Sequence, residues 1–169
     1  MSRRTLHDER GAAAVEFALL LPFLVTLQFG SVELVRAFEA QRRVAHVAAA
    51  MADVISQGAT TSNAELADVM KSADILVSPL PTGAMGLRIS SLTANGVGVV
   101  SQDWTYSKNW TQSGAPSVPT GYLAANESAI VADVAYDYNS PIRYILPNTI
   151  RFVRHAYIRP RLSNQVQKL

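Results

Sequence analysis

The apolar residues of this chain fall into three successive patterns. From Phe17 to Val32 the segment FALLLPFLVTLQFGSV carries no charge at all. With Ala12 to Val15 before it and Leu34 and Val35 after it, the apolar stretch runs about 24 residues, ~36 Å as a helix, enough to cross a bilayer core of ~30 Å with some tilt. From Glu33 to Gln57 the pattern becomes amphipathic. Val44, Val47, Ala48, Met51, Val54 and Ile55 recur at helical spacing, while Arg36, Glu39, Arg43 and Asp53 fall largely elsewhere. Gly58 is a natural helix stop.

Beyond Gly58 the elements shorten. Ser62-Asn63-Ala64-Glu65 reads as a capping box opening a second helix that runs to about Leu76, before SPLPTG breaks it. After Gly86 the period falls to two. Ile130, Ala132, Val134, Tyr136 and Tyr138 share one face of a strand over Ser128–Tyr138, with Asp133 and Asp137 on the other. Strands are also expected near 86–92 and 97–106, joined by the turn signal TANG, and near 150–158. SKNWTQSGAPSVPTG reads as a long polar loop. The expected fold class is α+β: a long N-terminal transmembrane and then amphipathic helix, a short second helix, and a head built on a small antiparallel sheet.

The residues flanking the apolar run decide what kind of membrane segment it is. MSRRTLHDERG precedes it, with Arg3, Arg4 and Arg10 outnumbering Asp8 and Glu9. The positive-inside tendency places this end in the cytoplasm, a signal diluted by Arg36, Arg42 and Arg43 on the far side. A secretory signal would place its small residues after the apolar core; here Ala12, Ala13 and Ala14 come before it. Two residues are unusual for a plain anchor. Glu16 lies inside the apolar run, where a carboxylate costs ~2.5–3.5 kcal/mol at mid-membrane and less near the edge. Pro22 removes the hydrogen bond to the Ala18 carbonyl and favours a kink that membrane helices tolerate.

Gly11 followed by AAAVEF and then LLLPFL resembles the prepilin-peptidase site of type IV pilins, with Glu16 five residues after Gly11. More narrowly, RGAAAVEFALLLPFLV resembles the start of the TadE-like minor pilins, or pseudopilins, of tight-adherence (Flp-type) pili. SSLTANG, IVADVAYDYNSPI and RPR extend the likeness more loosely along the chain. The resemblance implies a leader over 1–11 cut between Gly11 and Ala12, a spine helix over 12–57, and an extracytoplasmic α+β head over 58–169. It implies that Glu16 is the assembly carboxylate, paired with the new N-terminal amine of a neighbouring subunit. An amine and a carboxylate desolvated together cost far less than either alone, so the cut itself supplies the partner. The packing helix then includes Phe17, Leu21, Pro22, Phe23, Phe29 and Val35. One departure is Ala12, where type IV pilins often have Phe.

Composition adds limits. The chain has 169 residues, one domain's worth, and no cysteine, which excludes disulfides, thiolate metal sites and cysteine nucleophiles. Six of its fifteen basic residues follow Asp137, leaving nine against all thirteen acidic ones. A basic end of this kind suits a lipid or acidic partner or, more simply, a charged edge strand. His7, His46 and His155 show no metal-ligand spacing and read as ordinary surface or interface residues. Trp104, Tyr106 and Trp110 read as packing residues. No phosphate-cradling loop or nucleophile elbow appears, so no catalytic, cofactor-binding or metal residue is expected.

The expected function is therefore structural and non-enzymatic. The chain reads as a single-pass protein of the bacterial inner membrane, cytoplasmic at its N-terminus, possessing an extracytoplasmic head. Its expected partners are prepilin peptidase, other pilin or pseudopilin subunits and the pilus assembly machinery, with no nucleic acid and no small-molecule substrate. The alternative is a single-pass binding protein with an uncleaved helix anchor.

Overall fold

The computed structural model describes residues 9–169, with side chains from Gly11 onward. Most of the leader expected over 1–11, including His7, lies outside the described residues. Helix α1 runs from Glu9 to Ser56 and continues through Pro22. It joins the apolar and amphipathic patterns into one 48-residue rod, ~72 Å long at the ordinary helical rise.

The buried positions of α1 follow a seam. Gly30, Glu33, Ala37, Ala40, Val44, Val47 and Met51 are buried, spaced alternately by three and four residues. This is the spacing that keeps one narrow face of a helix turned toward a partner. Toward the N-terminus the seam stops: every residue from Gly11 to Val25 is exposed.

The partner of the seam is the head. Strand β1 (Thr60–Thr61) leads into helix α2 (Asn63–Leu76), opened by the expected capping box. The Ser62 hydroxyl accepts from Glu65 N, and the Glu65 carboxylate accepts from Ser62 N at 2.8 Å. A 3-10 turn (Thr82–Ala84) then enters β2 (Met85–Ala94). Strands β3 (Val100–Lys108), β4 (Ser128–Tyr138) and β5 (Ile150–Ile158) complete an antiparallel sheet ordered β3-β2-β4-β5. The β2–β3 turn is tied by Asn95, whose side-chain oxygen accepts from Val97 N and Val99 N, with Gly98 at φ +81°. The C-terminal β6 (Gln167–Lys168) pairs in parallel with β1, a two-residue pairing that the sequence pattern does not announce.

Leu87, Ile89, Ile130, Ala132, Val134 and Tyr136 line the inner face of the sheet and share one core with α1 and α2. Trp104 and Tyr106 pack against this core, and the Trp104 indole donates to the Val166 carbonyl at 2.8 Å. The outer face is not left to solvent. Strand β4 is buried at nearly every position on both faces, and Asp133 is only 2% exposed. Alternating polar positions on a strand therefore do not account for Asp133: the polar loop after β3 folds back beside it, bringing Trp110 and Gln112 to the same cavity.

Candidate functional site

Three regions of the described residues stand out as candidates: the bare end of α1, the contact where the head first meets it, and a charged rung on the outer face of the sheet.

In the bare end, Gly11 and Ala12 lie within α1. Glu16 is exposed on α1, and among the described residues no hydrogen bond or ion pair engages it. Phe17, Leu21, Phe23 and Phe29 are all exposed, as is Val35 further along. The head therefore leaves this apolar surface uncovered, and the helix is long and apolar enough to cross a membrane. Thr26 is the first α1 residue partly covered; its hydroxyl lies 3.1 Å from that of Tyr144 and donates to the Pro22 carbonyl at 2.8 Å.

The second region lies one turn further on. The loop between β4 and β5 doubles back along α1 and places Ile145 against Gly30. A Cβ added at Gly30 would stand 2.2 Å from Ile145 Cδ1, so only glycine allows the loop to sit this close without a shift. Glu33 is completely buried there, and its Oε2 accepts from Ile145 N at 2.6 Å and Leu146 N at 3.1 Å. A buried carboxylate is costly unless hydrogen-bonded; the two backbone donors offset part of that cost at Oε2, while Oε1 is buried with no hydrogen-bond partner among the described residues. Sequence reasoning did not single out Glu33. Its position on the buried side of the three-and-four seam was the available signal.

The third region is a rung of paired positions: Arg88 on β2, Asp133 on β4 and His155 on β5. Asp133 Oδ2 accepts from Arg88 Nε at 2.7 Å, and Oδ1 lies 2.7 Å from His155 Nδ1. Arg88 also sits over the Trp110 ring, 4.6 Å from its centre. Beside the rung lies a cavity of about 270 Å³ whose walls include Gln112 and Tyr157. His155, half exposed as expected of a surface or interface residue, is also one end of this rung. Asp133 is shared between an arginine and the imidazole, and no serine hydroxyl bonds His155 among the described residues. This is the geometry of a cross-strand clamp.

Half of the basic residues at the C-terminal end are paired internally. β5 is an edge strand, as a charged edge requires, and Arg151 pairs with Asp137, Arg159 with Glu127, and Arg161 with Asp53 of α1. His46 is exposed on α1, and no three His, Cys, Asp or Glu residues converge as a metal site among the described residues.

A single apolar helix that outruns its own head, joined along a seam to an α+β unit, defines a spine-and-head protein suited to a membrane anchor. Residues 11–53 match the family model described as TadE-like protein. The matched residues take in the bare apolar segment, Glu16, Glu33 and most of the seam, and end within α1 before the head begins. No curated protein and no solved structure matches the chain.

Proposed function

We propose that this chain is a minor pilin, or pseudopilin, of a tight-adherence pilus, anchored by α1 in the inner membrane with its head outside the cytoplasm. Prepilin peptidase cuts between Gly11 and Ala12. The observation that carries this reading is the coincidence of the TadE-like match with an α1 segment that the protein itself leaves uncovered from Gly11 to Val25. An apolar surface of this extent in a folded chain needs a bilayer or neighbouring helices around it.

Glu16 then acts in assembly. Desolvated with the rest of the segment, its carboxylate takes the α-amine that cleavage creates on Ala12 of an adjacent subunit. The exposed Phe17, Leu21, Phe23 and Phe29 supply the apolar contact surface for lipid first and for other pilin helices afterwards. The role is structural and uses no cofactor.

The test is made in cells that assemble the pilus, with the native chain replaced by variants. Glu16→Ala should leave membrane insertion intact while abolishing co-purification with pilus subunits. Exchanging residues 12–25 for an unrelated apolar helix, with Gly30 and Glu33 left in place, should do the same. If both variants assemble normally, the helix is only an anchor and the pilin reading fails.

A further inference from the structure

We propose that the loop from Pro141 to Pro147 is a membrane foot, inserted at the head-side boundary of the bilayer with Tyr144 and Ile145 in the acyl–headgroup zone. The proposal rests on the anchoring part of the function above and not on cleavage or pilus assembly.

The first argument is length. The uncovered part of α1, Gly11 to Val25, is 15 residues or ~22 Å at the helical rise, short of a hydrocarbon core of ~30 Å. A span of ~20 residues begun at Ala12 ends near Ser31. Thr26 and Gly30, where the loop touches α1, therefore fall within the outer end of the span. The loop is carried to that depth by its own contacts.

The second argument is the satisfaction of its backbone. Irregular chain at membrane depth is tolerated only where its polar groups are bonded within the protein. Pro141 and Pro147 have no N–H to satisfy. Ile142 N and Arg143 N each donate to the Ser140 hydroxyl at 3.3 Å, and Ile145 N and Leu146 N donate to Glu33. The loop thus spends these amides inward, on one serine and one buried glutamate, and none of these bonds requires water.

The third argument is what the loop turns outward. Tyr144 is 57% exposed and Ile145 44% exposed. Tyrosine is favoured at this level of a bilayer because its ring is apolar and its hydroxyl polar. The exposed Arg143 next to it can reach lipid phosphates while its stem stays in the apolar zone. Tyr144 and Ile145 hold the loop to α1 through Thr26 and Gly30, and the part of each that faces outward is matched at a bilayer boundary.

The absence of cysteine allows a direct test on the full chain. Single variants Tyr144→Cys, Arg143→Cys, Leu20→Cys and Val97→Cys are labelled with a polarity-sensitive dye. Each is reconstituted into vesicles of phosphatidylcholine and phosphatidylglycerol. Quenching is read with nitroxide-labelled lipid and, separately, with iodide on both sides. The expected result is that dyes at 144 and 143 are quenched by the lipid nitroxide and shielded from iodide, as at Leu20. Val97, in the exposed β2–β3 turn, should show the reverse. Iodide quenching at both 144 and 143, with Leu20 still in lipid, overturns the foot while leaving the anchor. A Leu20 dye outside lipid overturns both. Shielding of 144 and 143 from both quenchers, growing with protein density, assigns the loop to a second subunit and overturns the lipid assignment.

Discussion

Ile145 donates its backbone N–H to Glu33 across 112 residues of sequence, at 2.6 Å, and its side chain closes on the bare face of Gly30 one turn below. This contact fixes where the head stands on its spine. Removing the carboxylate leaves two amides without their charged acceptor, so Glu33→Ala should cost about 2–4 kcal/mol. Glu33→Gln retains an acceptor oxygen and should cost less than half as much. Denaturant unfolding of the detergent-solubilised chain measures both, and amide exchange at Ile145 and Leu146 should accelerate in proportion.

Gly30 offers a complementary test. Gly30→Ala places a methyl group against the far end of Ile145, a flexible neighbour, and should destabilise by about 1–2 kcal/mol through local overpacking. In an Ile145→Ala background the same substitution should be nearly neutral. A double-mutant cycle that returns no coupling would separate Gly30 from the loop.

The Arg88–Asp133–His155 clamp is a buried ion pair of the kind whose single deletion is expensive. Asp133→Leu should destabilise the head by about 3–5 kcal/mol because it strands Arg88, which is largely buried. The double variant Arg88→Met, Asp133→Leu should recover most of that loss. Thermal unfolding of the three proteins decides the matter, and His155→Gln should have the smallest effect because its ring is half exposed.

Acid sensitivity has one assigned source in the head. The hydrogen bond from Arg151 is the chief lowering influence on the Asp137 carboxyl, holding it below its ordinary value against partial desolvation that pushes it up. A carboxyl whose folded pKa is depressed stabilises fully above the unfolded value near 4 and loses that stabilisation as the pH falls through the folded one. Both side chains are more than a third exposed, so the effect is small and screened by salt. Arg151→Met should reduce the loss of stability on acidification below about pH 4, and added salt should narrow the difference from the native chain.

Local chemistry made much of the fold legible in the sequence. The spine followed from two apolar periods in tandem, and α2 from a four-residue capping box. The bounds of β4 and β5 followed from alternation and from the turn residues around them. What could not be read depended on elements distant in sequence. Glu33 looked like one more charge on an amphipathic helix, because its partners Ile145 and Leu146 arrive only when the β4–β5 loop folds back. Arg88, Asp133 and His155 meet because β2, β4 and β5 are neighbours in a particular register, which no short pattern encodes. β1 and β6 are two residues each, too short to carry a period. Gly11, Ala12 and Glu16 were singled out by a resemblance to the start of TadE-like pilins, and the structure adds their place on an uncovered stretch of helix.

The central claim is that this chain is a processed pilin-type subunit. The most direct measurement is the intact mass and N-terminal residue of the membrane-bound protein, from cells with and without prepilin peptidase. A terminus at Ala12 that appears only with the peptidase is the predicted result. An uncut chain in cells with active peptidase would contradict it.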